Sequence, residues 1–323
     1  MKKKWFRFLI AAVCLAVFIA MGTGIVRNRD KEQDKQMDKN QEAESGEVSE
    51  TGSGEKDKGG SKGSEKAREI LNPEGMTLET RFFVPEGYTR EEAEAGSLTA
   101  FLRSYELKED ESPVLLYDGS KKRNQKAHAA VFKLPIEEED LQQCADSIIR
   151  VYAEYFYHTG QQGKIAFHFS NGFLAEYEKW REGNRIKIDG NDAYWAKTAS
   201  YDDSYETFRS YLRMVFAYAG TQSMVGESEE ISLSEIEVGD VFLKGGSPGH
   251  VVMIVDMCQR EDGKKAFLLA QGYMPAQEFH VLKNPEHKKD PWYYEEEVTY
   301  PFHTPEYTFE EGSLRRLVYE RVH

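Results

Sequence analysis

Apolar residues recur at spacings of three and four in some stretches of this chain and in short alternating or unbroken runs in others. Leu141, Ala145, Ile148, Tyr152 and Tyr155 fall on one face of a helix predicted over 138–158. Phe208, Tyr211, Leu212, Val215, Phe216 and Ala219 do the same over 205–218, and Gly220 ends that helix. Shorter helices are predicted within 91–103, from Leu98, Phe101 and Leu102, and over 173–181, from Phe173, Tyr177 and Trp180. Strand patterns occupy 113–117, 127–134, 164–169, 185–188, 241–243, 251–255 and 265–271. Asn171-Gly172 and Asp189-Gly190-Asn191 break two of them, and Asp262-Gly263 predicts a hairpin between the last two. Helices lead into a run of antiparallel strands, so the expected class is α+β rather than alternating α/β.

The pattern divides the chain in three. Residues 1–26 begin Met-Lys-Lys-Lys and continue as an apolar run over 8–26, close to the roughly twenty residues that span a bilayer. This predicts a single-pass signal anchor with the remainder outside the cytoplasm. Ala20-Met21-Gly22 offers the alternative of a cleaved signal and a secreted product. Residues 27–69 are Lys, Asp, Glu, Gln, Gly and Ser with almost nothing apolar, a composition that builds no core and predicts a disordered stalk. Residues 70–323 carry the aromatics and the periodicity and are expected to form one globular α+β domain.

Charge and cysteine content narrow the function. The net charge is −14 and acids are spread along the chain, which leaves no basic stripe for nucleic acid. Beyond the apolar segment only Cys144 and Cys258 remain, too few for a disulfide scaffold. No His/Cys pair has zinc-ligand spacing and no Gly-rich loop has nucleotide-binding order, so neither a metal nor a cofactor is expected.

Candidate chemistry centres on 239–256. A short apolar strand runs into Gly245-Gly246-Ser247-Pro248-Gly249, and His250 opens the next strand. A ring held by a sheet at the mouth of a glycine-rich turn suits a general base or acid; the plainer alternative is a histidine that closes a hairpin. Gln271, ending the following strand, is the candidate to orient that ring. Cys144 is the candidate thiol, and a small buried core residue is its plain alternative. Cys258, beside Gln259 and Arg260, is expected to be exposed and incidental. Candidate ligand contacts are Asp118, Asn124 and Gln125 in a polar loop, His128 after it, Ser204 before a helix, Ser247 in the turn, and Tyr273 and Gln277 beyond the third strand. Ser204 also reads as a helix N-cap. Trp180, Trp195 and Trp292 would line a glycan groove or fill the core.

The helix ending Ala219-Gly220, the stretch Leu233 to Gly239-Asp240, and Gly249-His250 together resemble the NlpC-type cell-wall peptidases, papain-like enzymes that cleave amides in peptidoglycan peptides. The resemblance implies helices packed on an antiparallel sheet, with His250 as base and Gln271 as orienter. In that pattern the nucleophilic Cys starts the helix that ends Ala219-Gly220, yet Thr207, Phe208 and Arg209 stand there. The expectation is therefore a degenerate papain-like cleft that binds peptidoglycan or another envelope partner, with an active cysteine amidase using Cys144 as the alternative. Over 70–323 the chain also resembles a bacterial family known as domain of unknown function 4846. The stretches that carry this are Leu116-Tyr117-Asp118-Gly119, Asn124 to Ala129, Asp140 to Asp146, Ser170-Asn171-Gly172-Phe173, Tyr218-Ala219-Gly220-Thr221, Gly245 to His250 and Leu269 to Gln277. That resemblance implies no activity.

Overall fold

A computed structural model describes residues 70–320. The predicted anchor (1–26) and stalk (27–69) lie outside the described residues, and no helix among those described is long and apolar enough to cross a membrane. In chain order the elements are α1 (Leu78–Arg81), β1 (Tyr88–Thr89), α2 (Leu98–Ser104), β2 (His128–Val131), α3 (Cys144–His158), β3 (Ala166–His168), β4 (Leu174–Glu176), α4 (Tyr177–Arg181), β5 (Asn184–Asp189) and β6 (Asp192–Lys197). They continue as α5 (Tyr205–Tyr218), α6 (Thr221–Gly226), β7 (Ser228–Glu230), β8 (Val241–Lys244), β9 (His250–Arg260), β10 (Lys265–Gln271), β11 (His280–Leu282), β12 (Tyr293–Tyr294), β13 (Phe302–His303), β14 (Thr308–Phe309) and β15 (Leu314–Leu317).

The class is α+β, built on a nine-stranded sheet in the order β2-β11-β10-β9-β8-β15-β7, with β1 added to β9 and β12 to β10. Every pairing in it is antiparallel. Its centre is covered on both faces, which is why 251–255 reads as an unbroken apolar run rather than an alternation. Val251, Met253 and Val255 of β9, with Ala266, Leu268 and Ala270 of β10, join the core that holds Ile148 and Tyr152 of α3. The alternate residues Val252, Ile254, Phe267 and Leu269 face a second cluster with Phe242, Phe302 and Phe309. The β9–β10 connection is the hairpin that Asp262-Gly263 predicts: Gly263 takes φ +87°, which suits a residue without a Cβ.

Several expected elements change at their ends. The helix expected from 138 begins only at Cys144. The residues before it are held by tertiary contacts instead. Glu137 accepts from Arg150 Nη1 at 2.9 Å, Arg209 Nη2 at 2.8 Å and Arg213 Nη1 at 3.1 Å. Asp140 Oδ1 accepts from the Ala276 N–H at 2.6 Å. The expected helix over 173–181 is half strand, because 174–176 pairs with β3, and only Tyr177–Arg181 is helical. Asp189-Gly190-Asn191 does not end a lone strand but turns the β5–β6 hairpin. Trp180 and Trp292 are core residues, so they do not line a groove, and Trp195 is partly buried against the core. Cys258 is likewise buried within β9, because its side chain points to the helix face of the sheet.

The first turn of α3 sits on the end of β10. A Cβ at Gly272 would stand 2.1 Å from Ser147 Oγ, 2.8 Å from Ser147 Cβ and 3.0 Å from the Gln143 carbonyl oxygen. Gly272→Ala is therefore expected to destabilise the fold by about 1–3 kcal/mol, the usual range for forcing a methyl into packed space. Urea unfolding measures this, and an unchanged midpoint would contradict the close seating of α3.

Candidate active site

Three chain segments converge where β9 begins, β10 ends and α3 starts. The β9–β10 ladder closes at Ala270↔Met253, and Gln271 pairs onward with His280 in β11. Ahead of Met253, the Val251 N–H is one of the backbone donors that would favour a charged Cys144 sulfur. The N–H groups of Ala145 and of Cys144 itself, free donors of a helix start, act in the same direction. Cys144, the first residue of α3, is thus set against the residue that follows His250.

His250 is 3 % exposed and Gln271 fully buried. His250 Nε2 lies 2.7 Å from Gln271 Oε1, and Gln271 Nε2 donates to Glu306 Oε2 at 2.8 Å. Three aromatic rings enclose the imidazole: Tyr273 and Tyr307 with centroids at 4.7 Å, and Phe309 at 6.1 Å. Burial raises both phenols, and a charge on Cys144 would raise them further. Tyr273 is further held by donating to the Glu306 carbonyl at 3.3 Å.

Burial decides the protonation states of the closed site. It pushes the Cys144 thiol up to about 12, against the three N–H donors that favour its thiolate. It pulls His250 down to about 4, with the Gln271 hydrogen bond opposing. Thiol and imidazole are therefore both neutral here, and among the described residues no hydrogen bond joins them.

Behind Gln271 lies a second polar layer. Glu306 forms an ion pair with Lys122 and accepts from Asn124 Nδ2 at 3.1 Å. Lys122 Nζ is 3.2 Å from His280 Nε2, while His280 Nδ1 donates to the Glu278 carbonyl at 2.8 Å. Burial raises Glu306, but His280 and Lys122 outweigh that and hold it down at about 2. Burial and Lys122 pull His280 down to about 4.

The remaining sequence candidates divide. Tyr273 and Asn124 belong to the constellation, and Ser247 is exposed in the turn leading to His250. Gln125 instead brackets its own loop, accepting from the Val114 N–H at 3.0 Å and donating back to the Val114 carbonyl at 2.9 Å. Asp118 is exposed and orders its turn through Ser120. His128 lies beside His280 at 6.1 Å and bonds the Ser112 carbonyl. Gln277 is buried and donates to the Pro275 carbonyl at 3.0 Å. Ser204 caps α5 by accepting from the Thr207 N–H at 3.3 Å, and none of its bonds reaches His250. Sequence reasoning missed Lys122, His280, Glu306 and Tyr307. The only signal was a lone acid at 306 between aromatic strands, which no spacing connects to His250.

The buried histidines make stability depend on pH. Unfolded, each takes a proton near 6.5; folded, each resists until about 4. The unfolded chain therefore gains protons first, and stability falls as pH drops from about 6.5 to about 4. The loss is at most about 3 kcal/mol for each histidine. Glu306 extends the loss in the same direction below its ordinary range. Urea midpoints at pH 7 and 4.5 check this, and equal values would contradict the buried neutral imidazoles.

Comparison with known proteins adds the family and nothing on activity. No curated protein matches the chain, and no solved structure does. The model of the family described as domain of unknown function (4846) matches residues 78–316, most of the chain and nearly all of the folded part, and the protein belongs to that family.

Proposed function

We propose that this protein is a thiol-dependent amide hydrolase with a papain-like active site formed by Cys144, His250 and Gln271. The observation that carries the reading is the start of α3: Cys144 is its first residue, and its thiolate would be favoured by the N–H of Val251, one residue from an imidazole whose Nε2 is already committed to Gln271. The helix that ends Ala219-Gly220 is then not the nucleophile helix; α3 takes that part. In the proposed reaction His250 Nδ1 takes the Cys144 proton as sulfur bonds to the substrate carbonyl carbon. The imidazolium then protonates the leaving amine as the C–N bond breaks. Water attacks the resulting thioester, and His250 serves again as base and acid. Peptide amides of the cell wall are the substrate class this reading carries. The 8–26 segment would hold the domain outside the cytoplasm at the membrane, or be removed to release it.

One observation favours a second reading. Cys144 and His250 are both buried and Tyr273 and Tyr307 pack on the imidazole, as in a cleft that holds an envelope ligand without turning it over.

Peptidoglycan stem peptides incubated with the full-length chain separate the two. Hydrolysis is expected to release a new amino terminus, and Cys144→Ala or His250→Ala to lower the rate by about 100-fold or more. Binding without hydrolysis would support the second reading. Neither binding nor hydrolysis would remove wall peptides as the substrate class.

A further inference from the structure

We propose that Glu306, held by Lys122, is a positioning residue that fixes which nitrogen of His250 carries the proton. The step rests on the hydrolase reading only for what the other nitrogen then does. A glutamine amide has similar outlines in both orientations, and only one presents oxygen to His250. A carboxylate accepts hydrogen bonds and donates none. Glu306 Oε2, 2.8 Å from Gln271 Nε2, therefore requires an NH₂ group on its side of Gln271 and leaves Oε1 facing His250 at 2.7 Å. An amide oxygen requires a donor, so His250 carries hydrogen on Nε2 and its Nδ1 is left as the base.

Direction is imposed from further back. The Glu278 carbonyl takes the Nδ1 proton of His280, so His280 Nε2 accepts from Lys122. Lys122 donates to Glu306 as well, and Asn124 donates to the other carboxylate oxygen. One chain of bonds, each with a single permitted sense, runs from the Glu278 carbonyl through His280, Lys122, Glu306 and Gln271 to His250. The Glu306 side chain is only 8 % exposed, so water does not compete freely for these bonds. The acid enters from the turn between β13 and β14, which explains why a strand hairpin outside the β9–β10 core closes over the site.

The test is the His250 tautomer, read by long-range ¹H–¹⁵N correlation on the ¹⁵N-histidine-labelled full-length chain, with His250→Gln to assign the signal. The native protein is expected to show only the Nε2–H form. Glu306→Gln should keep it, because Lys122 still holds an oxygen on the side of Gln271. Glu306→Leu should free the amide to turn and bring the two tautomers to comparable populations. If Glu306→Leu does not fold, the uncharged double variant Lys122→Met with Glu306→Gln decides: Asn124, its own oxygen held by the Lys126 N–H, keeps the oxygen of residue 306, whose NH₂ then faces Gln271, so the Nε2–H form is expected to be lost. An unchanged Nε2–H signal in folded Glu306→Leu or in the folded double variant, or an Nδ1–H form in the native chain, overturns the proposal. Failure of wall-peptide hydrolysis alongside the expected tautomer change would instead remove the hydrolase reading and leave Glu306 as the residue that orients His250.

Discussion

The first turn of α3 rests on the ends of β9 and β10, and the site depends on that contact. It is close enough that position 272 has no room for a Cβ against Ser147 and the Gln143 carbonyl. A helix start carries unpaired N–H groups, which must find acceptors or water. Here those of Cys144 and Ala145, with the Val251 N–H from the sheet, favour negative charge on the Cys144 sulfur. The same contact fixes where the helix can begin. Glu137 is drawn into a group of three arginines and Asp140 is tied to Ala276, so the preceding turn cannot continue as helix. Ion pairing upstream and steric closeness downstream together place the thiol at the helix's first residue.

On the other side of the sheet's end, polarity is concentrated into one connected set. His250, Gln271, Glu306, Lys122 and His280 are all buried or nearly so, and their hydrogen bonds satisfy one another. Buried polar groups left unpaired would cost more than the fold gains, so such a set is kept complete or not at all. The aromatic cover of Tyr273 and Tyr307 keeps the thiol and imidazole uncharged while it is closed. A ligand that displaced the cover would restore water and lower the cost of charge on both. The hydrolase proposal and the binding alternative therefore differ in whether that displacement ends in proton transfer.

Much of this was legible in the chain. The strands at 241–244 and 265–271, the Asp262-Gly263 hairpin and the Tyr205–Tyr218 helix follow from local pattern, and the structure has them there. His250 and Gln271 were marked by position alone, at a strand start and a strand end. The start of α3 was not legible, because apolar periodicity continues upstream through Leu141 and the forces that end the helix come from Arg209, Arg213 and Ala276, far away in sequence. Cys144, expected in the first turn or so of a helix from 138, is instead its first residue. Glu306 and Lys122 were invisible for a related reason: nothing local distinguishes a buried charge from a solvated one when its partner is 184 residues distant. Ser204 shows the opposite case, since its cap signal was local and the structure bears out the cap.

Cys144 and Cys258 are both buried, and it is Cys144 whose thiolate would be favoured by the N–H of Val251, the residue after His250. Cys258 therefore serves as an internal control for the most direct test. The measurement is the rate of iodoacetamide labelling at each cysteine in the native full-length chain and in His250→Ala, followed site by site by mass spectrometry. A thiol assisted by His250 predicts labelling of Cys144 about ten-fold or more faster than Cys258, falling to the Cys258 rate without the imidazole. Equal and negligible labelling of both cysteines until denaturant is added would contradict the account, and would make Cys144 a core residue.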